Sequence, residues 1–407
     1  MSGPGYLFLG DEEKALVHRA LDGWQLNRYR FDESAEPSMV YTLEREFEQR
    51  TGAPHCLAVN SCTSALLTAL VALGVGPGDE VIVPGYTFIA SIAAIVHRGA
   101  VPVLAEIDES LTLDPADVAR RITPATKAIV AVHMLGAPAD VGELRRIADE
   151  HDLFLIEDAA QACGGRHRGR ALGTIGDAGA FSLNLFKIIT SGDGGLLTLA
   201  DSTAYERAFA FHDHGFKPLR QGIADADSLF GMNLRMHELS GAVALGQLRK
   251  IDDVLGVLRK QKTAFLAAIG ELPGVTRRRI NDPDGECFSF LVLQFESTAT
   301  ARAVAERLGT STLIDSGRHY YGNMPQLLAR RTPTPSEQPF AASDRRYEAN
   351  MLPRTDDVLG RSIALSVGVV DAYLGSGVGI NPLSSPDEIA AAARAVRSAV
   401  NEVVARK

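Results

Sequence analysis

Short apolar segments alternate with helical patterns between residues 55 and 200, and this alternation constrains the fold more than any other feature of the chain. The connections between the segments are short and rich in glycine. Strands that alternate with helices in this way build a doubly wound, mainly parallel α/β sheet. The pattern predicts strands at residues 55–60, 80–84, 101–106, 128–133, 153–157, 180–183 and 195–199. It predicts helices at residues 63–73, 89–97 and 141–151.

The chain has 407 residues, which is more than one hydrophobic core usually serves. We therefore predict a large α/β domain with an N-terminal arm (residues 1–250) and a smaller C-terminal α+β domain (residues 251–407). A stretch without proline predicts one long helix over residues 238–266. The other C-terminal predictions are strands at 287–294 and 362–367, a surface loop at 331–343 and a closing helix at 386–404.

Composition and charge exclude several classes of protein. The net charge of −9 argues against nucleic acid or an anionic membrane as a partner. No apolar run approaches the length of a membrane span, and the first residues lack the basic and apolar regions of a signal peptide. The four cysteines have neither disulfide-framework density nor metal-ligand spacing. We expect a reduced, cytoplasmic protein without a structural metal.

Lys187 is the most informative single residue, because it lies between apolar residues and the glycine cluster at 192–195. An unpaired buried ammonium is costly. Partial desolvation lowers the pKa of a lysine, and the neutral amine can then condense with an aldehyde. The alternative is an exposed lysine at the end of a strand, where most lysines are found.

Two further features lie where predicted strands end, which is where ligands bind in open α/β sheets. At residues 60–66 a strand turns into a helix through small hydroxyl residues, and a helix N-terminus can hold a phosphate. An ordinary N-cap by Ser61 or Thr63 is the alternative. At residues 84–88 an aromatic side chain could stack on a planar ring, although Phe88 could also belong to the core.

A third strand ends in the acidic pair Glu157 and Asp158. A carboxylate that stays ionised could pair with a protonated pyridine nitrogen, whereas the alternative for Asp158 is a helix N-cap. Ser182 adds a hydroxyl five residues before Lys187. A phosphate cradle, a stacking aromatic, an anion and an amine together meet the requirements of pyridoxal phosphate.

With these residues in view, the chain resembles the DegT/DnrJ/EryC1/StrS family of pyridoxal-phosphate aminotransferases, which act mostly on sugar nucleotides and cyclitols. The resemblance runs from about residue 10 to the C-terminus. The motifs that carry it are NSCTSAL, GVGPGDEVIVPGYTF, ITPATKAIVAVH, IEDAAQACG and FSLNLFKIITSGDGG. It implies aminotransferase fold type I. A related branch that removes a hydroxyl group has histidine at the position of Lys187, so this chain falls on the aminotransferase side.

The resemblance implies roles for four residues around the cofactor ring. Lys187 would bind the cofactor aldehyde and then carry a proton between the donor and the cofactor. Asp158 would keep the pyridine nitrogen protonated. Gln161 would lie near the phenolic oxygen of the cofactor, and Phe88 would stack on its ring.

It also implies a phosphate site and a homodimer. Thr63 and Ser64, with the Ser182 hydroxyl, would bind the phosphate in a turn where Cys62 stands in place of the usual glycine. If that turn needs a positive φ, cysteine is disfavoured there. Asn233 matches an asparagine that reaches the phosphate from the neighbouring subunit, which would make the homodimer the minimum active unit.

The C-terminal half is less typical of the nucleotide-sugar enzymes. Residues 316–323 and 352–355 are expected to be substrate-facing loops. The predicted substrate residues are Arg318, His319, Tyr320 and Arg354. The arginines and the histidine could recognise a phosphate or carboxylate, although solvation at the surface is the alternative for each.

The preferred hypothesis is a transaminase that takes the amino group of glutamate or glutamine and gives it to a keto-sugar or keto-cyclitol. The first alternative is another pyridoxal-phosphate reaction on the same scaffold, such as elimination, decarboxylation or carbon–carbon bond formation. The second alternative is a non-catalytic regulatory protein that senses the cofactor or an amino compound.

Overall fold

The computed structural model describes residues 3–23, 26–28, 38–215, 229–333, 335–371 and 374–405. Its strands are β1 (His55–Val59), β2 (Glu80–Pro84), β3 (Val101–Ala105), β4 (Thr126–Val132), β5 (Phe154–Asp158), β6 (Arg166–His167), β7 (Arg170–Ala171), β8 (Ala178–Ser182), β9 (Gly195–Leu199), β10 (Val275–Arg277), β11 (Phe290–Phe295) and β12 (Ser362–Ser366). Its α-helices are α1 (Pro4–Leu7), α2 (Asp11–Asp22), α3 (Met39–Thr51), α4 (Cys62–Ala72), α5 (Ile89–His97), α6 (Pro115–Arg121), α7 (Val141–Glu150), α8 (Ser202–His212), α9 (Glu238–Arg249), α10 (Ile251–Ile269), α11 (Thr298–Leu308), α12 (Pro325–Leu328), α13 (Pro353–Gly360) and α14 (Pro386–Val404).

Seven strands form the main sheet in the order β1-β9-β8-β5-β4-β2-β3. Strands β8, β5, β4, β2 and β3 run parallel, while β9 is antiparallel to both of its neighbours. The prediction of a mainly parallel α/β sheet is confirmed. Because β1, β2, β5 and β8 point the same way, their carboxyl ends meet at one edge of the sheet.

Hydrophobic cores lie on both faces of this sheet, and the alternation along β1 shows how one strand serves both. Cys56 and Ala58 belong to a core with α3 and α7, whereas Leu57 and Val59 belong to a core with α4, α5 and α8. Successive side chains of a strand point to opposite faces. A strand covered on both faces is therefore almost wholly apolar, as β1 is after His55.

The C-terminal part carries a second, antiparallel sheet in the order β10-β11-β12. Both cores continue into this sheet, since Phe290 and Val292 join one core and Leu291 and Leu293 join the other. The part of the chain that carries the main sheet (the large lobe) and the part from residue 251 onward (the C-terminal lobe) are thus packed together. The division between residues 250 and 251 remains a proposal.

The prediction of one helix over residues 238–266 is wrong. The segment forms α9 and α10, which meet at Lys250, where φ is −99° and ψ is 1°. The helices have different partners, because α9 packs on α2 and α3 whereas α10 packs on α14. Asp252 and Asp253 in the first turn of α10 are typical of a helix start. The predicted loop at 331–343 contains a short 3₁₀ helix, Phe340–Ala342, and residue 334 lies outside the described residues.

None of the helices in the described ranges is long and apolar enough to cross a membrane. The same part of the chain contains no group of three or more His, Cys, Asp or Glu residues that could hold a metal ion.

Candidate active site

A cavity of about 360 Å³ opens at the edge of the sheet where β1, β2, β5 and β8 end. Both lobes contribute to its lining. Nine of the predicted site residues line it: Cys62, Thr63, Phe88, Asp158, Gln161, Ser182, Lys187, Arg318 and His319. The strand ends therefore bring together side chains that are up to 257 positions apart in the sequence, from Cys62 to His319.

Lys187 lies in the lysine loop (residues 183–194), which connects β8 to β9, and its side chain is partly buried in the cavity wall. No group in the described part of the chain hydrogen-bonds to its Nζ or forms an ion pair with it. Burial lowers the pKa of this amine, and the nearby Cys62, Asp158 and Asp371 offset the shift only in part. A lowered pKa increases the fraction of neutral amine, which is the form that attacks an aldehyde.

Asp158 is buried at the end of β5, with a side chain held by two hydrogen bonds. The Ser91 hydroxyl donates to Oδ2 at 2.7 Å, and the Ala160 N–H donates to Oδ1 at 3.1 Å. The Ser91 hydroxyl also lies 2.8 Å from that of Thr87. These contacts fix the orientation of the carboxylate, so its charge is presented to the cavity in one position.

Glu157, the other member of the acidic pair, is not part of the cavity. Its carboxylate accepts N–H bonds from Gly173 (2.9 Å), Ile175 (2.6 Å) and Gly176 (2.7 Å) and lies 3.0 Å from Nε2 of His133. Nδ1 of His133 accepts from the backbone, so Nε2 carries the proton and donates to Glu157. This carboxylate is a structural anion on the opposite face of β5.

The start of α4 is the turn that the sequence predicts as a phosphate site. Ser61 is the N-cap, and its Oγ accepts from the Ser64 N–H at 3.1 Å. The N–H groups of Cys62 and Thr63 have no acceptor among the described residues, and both residues line the cavity. A helix N-terminus with free N–H groups suits an anion. The N-cap is thus Ser61 rather than Thr63, and the same turn carries two N–H groups that an anion could accept from.

Two neighbours shape this cradle. Ser182 accepts from the Asn184 N–H at 3.3 Å, which leaves the proton of its hydroxyl for a ligand. Gly195 has no side chain, and a Cβ there would lie 2.5 Å from the carbonyl carbon of Ser61. Cys62 is not among the residues with positive φ, so a glycine is not required at its position. The turn therefore does not need a positive φ at residue 62, and cysteine is compatible with it.

The aromatic wall consists of Phe88 and His319, whose ring centroids are 5.4 Å apart. The Thr87 N–H donates to the His319 carbonyl at 2.9 Å, which joins the segment after β2 to the C-terminal lobe. On the other side, Gln161 accepts the Leu135 N–H through Oε1 at 2.8 Å. The amide nitrogen of Gln161 remains as a donor toward the cavity.

Four predicted site residues do not line the cavity. Ser64 donates its hydroxyl proton to Asn60 within the turn, at 2.6 Å. Asn233 is exposed in the segment after α8. Tyr320 is buried and stacks edge-on against Tyr321, with ring centroids 4.7 Å apart.

Arg354 is the fourth, and its surroundings explain why. Its guanidinium pairs with Asp114 at 2.5 Å and with Glu109 at 2.9 Å, both in the large lobe. The segment 352–355 is not a loop, because Pro353 begins α13. Proline at the first position of a helix is common, so the sequence contained the signal for this helix.

Sequence reasoning missed several residues that lie in or behind the cavity wall. Ser91 supports Asp158, and Asp371 from the C-terminal lobe lines the cavity together with Ser289. The Ser289 hydroxyl is fully buried and has no hydrogen-bond partner among the described residues. A lone buried hydroxyl beside a cavity suggests a ligand contact. No spacing in the sequence connects these residues with Lys187.

Comparison with known proteins gives the family. The DegT/DnrJ/EryC1/StrS aminotransferase family matches residues 13–369. The chain belongs to this family. It is 41% identical over 266 residues to an L-glutamine:2-deoxy-scyllo-inosose aminotransferase of Streptoalloteichus tenebrarius, which covers 61% of this chain and 62% of that protein. The alignment thus spans less than two thirds of that relative. The erythromycin biosynthesis sensory transduction protein EryC1 of Saccharopolyspora erythraea is 36% identical over 328 residues, covering 80% of this chain and 84% of that protein.

Solved structures with the same fold include two that are at least 30% identical to this chain. A 3-amino-5-hydroxybenzoic acid synthase superimposes with a TM-score of 0.78 at 30% identity, covering 97% of both chains. The S. venezuelae protein DesV superimposes with a TM-score of 0.75 at 31% identity, covering 97% of this chain and 95% of that chain. The fold is therefore type I of the pyridoxal-phosphate aminotransferases, as the resemblance implied.

Proposed function

We propose that this protein is a pyridoxal-phosphate-dependent aminotransferase that moves an amino group from glutamate or glutamine to a keto-sugar or keto-cyclitol. One observation carries the proposal: the Lys187 amine, with a lowered pKa and no partner for its Nζ among the described residues, lines the same cavity as the buried Asp158 carboxylate. The family and the names of the relatives support it.

The residues present fit pyridoxal phosphate. The free N–H groups of Cys62 and Thr63, with the Ser182 hydroxyl, would hold the phosphate. Asp158 would pair with the pyridine nitrogen, and the amide nitrogen of Gln161 would donate to the phenolic oxygen. Phe88 would cover one face of the ring. When bound, the cofactor supplies the electron sink for chemistry at the carbon that bears the amino group.

The protein's own part in the reaction is the control of protons and charge. The Lys187 amine would hold the cofactor through its aldehyde. With a donor bound, the same amine would be placed to take the proton from Cα of the donor and to give it back, as a general base and acid. Asp158 would pair with the pyridine nitrogen, and the hydrogen bonds from Ser91 and Ala160 hold its carboxylate in the position that this pairing needs.

The substrate end of the cavity is formed by the C-terminal lobe. Arg318 and His319 line it, and the guanidinium of Arg318 suits the carboxylate of an amino donor. Glutamine as donor and a cyclitol ketone as acceptor are named for the relative from Streptoalloteichus tenebrarius. Tyr320 and Arg354 contribute to the shape of this lobe from outside the cavity.

A homodimer with shared active sites belongs to the proposal. Asn233 does not line the cavity of its own chain and is exposed. Its neighbours Phe230 and Met232 are exposed too, with 103% and 50% of their surfaces accessible. Exposed apolar side chains that lie together suggest an interface.

The cytoplasm is the proposed compartment, supported by the four cysteines, which are all free thiols.

A single-turnover experiment tests the function. Holoenzyme is mixed with glutamate or glutamine without an acceptor, and the spectrum and the products are measured. We expect one equivalent of the corresponding 2-oxo acid per site and one equivalent of aminated cofactor. Release of carbon dioxide or ammonia, or inertness toward every common amino donor, would contradict the proposal and favour a different pyridoxal-phosphate reaction.

A further inference from the structure

The lysine loop is bound on its outer side by a segment more than 180 positions away. Gly3 donates its N–H to the Leu185 carbonyl at 2.9 Å, and Gly5 donates its N–H to the Lys187 carbonyl at 3.3 Å. We call residues 3–5 the strap. The strap thus contacts the backbone of Lys187 itself, whereas the side chain of Lys187 faces the cavity.

The contact is so close that only glycine fits. A Cβ on Gly3 would lie 2.2 Å from the carbonyl carbon of Phe186 and 2.7 Å from the backbone nitrogen of Lys187. A Cβ on Gly5 would lie 2.8 Å from Cα of Ile189. Gly3 has φ −83° and ψ 177°, which any residue can adopt, so it is the missing side chain that matters there.

The strap packs against the C-terminal lobe, and the arm that follows it is fixed by an ion pair. Pro4 and Gly5 are buried, and a Cβ on Gly368 in the C-terminal lobe would lie 2.9 Å from Cγ of Pro4. Farther along the arm, Glu13 forms an ion pair with Lys250.

Gln247 connects that pair to the lysine loop. Its Nε2 donates to Glu13 at 3.0 Å, and its Oε1 accepts the Thr190 N–H at 3.3 Å. The loop is therefore fixed from outside at residues 185, 187 and 190.

We propose that the strap is a positioning element for Lys187, which fixes the lysine loop so that the amine is aimed at the reacting carbon. The inference rests on the proposed function for its catalytic consequence. Inside the loop, the Lys187 N–H donates to the Asn184 carbonyl at 3.0 Å. The strap adds a constraint on the Lys187 carbonyl, so both of its peptide groups are restrained. A displacement of 1 Å in a reacting group can cost about 100-fold in rate.

The test compares Gly5→Ala and Gly3→Ala with Gly256→Ala. Gly256 is exposed in α10, and a Cβ there meets nothing within 4 Å, so this variant controls for the added methyl group. The first readout is hydrogen exchange of peptides from residues 183–191 in the apoprotein. We expect exchange at least ~10-fold faster in both strap variants and unchanged exchange in the control, because the loop opens locally once the strap is displaced.

The second readout is kinetic. We expect kcat to fall ~10- to 100-fold in the strap variants while KM for the amino donor changes less than ~3-fold, because orientation and not binding is lost. Melting temperatures identify a variant that fails to fold. If one strap variant fails to fold, the exchange and kinetics of the other strap variant test the proposal.

Unchanged loop exchange with unchanged kcat overturns the inference, and so does faster exchange with normal kcat. The two proposals can fail separately. If the wild type transfers no amino group but the strap variants still show faster exchange of the loop, the strap remains a constraint on Lys187 and the proposed function is contradicted.

Discussion

Glu157 and Asp158 are neighbours at the end of β5, and their carboxylates serve opposite faces of the sheet. Asp158 lines the cavity and accepts from Ser91, whereas Glu157 accepts from three backbone N–H groups and from His133. Alternation along a strand makes this unavoidable. One carboxylate of the acidic pair is thus available to a cofactor, and the other holds the segment at 173–176.

Asp158→Asn separates the charge of this carboxylate from its shape. The amide keeps an oxygen for the Ser91 hydroxyl but loses the negative charge that would hold the pyridine nitrogen protonated. Because a hydrogen bond between charged groups contributes about 3 kcal/mol, we expect kcat to fall ~100-fold. Steady-state kinetics with the melting temperature as control measure this. A variant with normal kcat would show that the charge of Asp158 is not used.

Glu157→Gln is expected to change the free energy of unfolding rather than kcat. Burial raises the pKa of Glu157, but hydrogen bonds from His133, Gly176 and Gly173 outweigh burial, so the pKa lies below its ordinary 4.5. A carboxylate with a lower pKa in the folded state stabilises the fold above pH 4.5, and this contribution is lost as the pH falls through the folded value. We expect a loss of about 3 kcal/mol at pH 7, since breaking a buried charged network costs that much.

Denaturant titrations of wild type and Glu157→Gln between pH 7 and pH 3 check the sign. The difference in unfolding free energy between the two proteins must shrink below pH 4.5. A difference that is constant over this range would mean that Glu157 is not ionised in the folded protein.

Arg318 and Arg354 were both predicted to face the substrate, and the structure separates them. Arg318 lines the cavity, whereas Arg354 joins the lobes through Asp114 and Glu109. We expect Arg318→Gln to raise KM for the amino donor ~10-fold, as the loss of a charged hydrogen bond does. Arg354→Gln should leave KM unchanged and lower the unfolding free energy by about 1 kcal/mol, because its ion pairs are half-exposed. A raised KM in Arg354→Gln, together with an unchanged KM in Arg318→Gln, would instead support a substrate role for Arg354.

Subunit complementation tests the shared site. Lys187→Ala and Asn233→Ala homodimers are each expected to be inactive or nearly so. If Asn233 acts in the partner's site, a mixed dimer contains one site with both residues intact. Random mixing should then recover about a quarter of the wild-type activity. No recovery, in a mixture shown by mass spectrometry to contain the mixed dimer, would assign Asn233 to its own chain or to no site.

Local patterns predicted the sheet and much of the cavity. Each strand end was visible because apolar runs stop at small or charged residues, so Lys187, Asp158 and Thr63 could be assigned to one edge. The closing helix at 386–404 was predicted with its observed bounds, and in the structure Ser385 and Glu388 form a capping box at its start.

Contacts between distant segments could not be predicted in this way. Ser91 is 67 positions from Asp158, and Gly3 is 182 positions from Leu185. The break at Lys250 depends on which helices α9 and α10 pack against, which no helical period specifies. The ion pairs of Arg354 likewise depend on how the lobes meet. Tertiary packing, not propensity, decided all of these.

The central claim is that Lys187 is the covalent anchor of the cofactor. Borohydride reduction of the holoenzyme, followed by peptide mass spectrometry, tests it directly. The account predicts one reduced pyridoxyl group per chain, located on Lys187, and none in Lys187→Ala treated in the same way. A label on a different lysine of the wild-type protein, or no label on an enzyme that is active and saturated with cofactor, would contradict it.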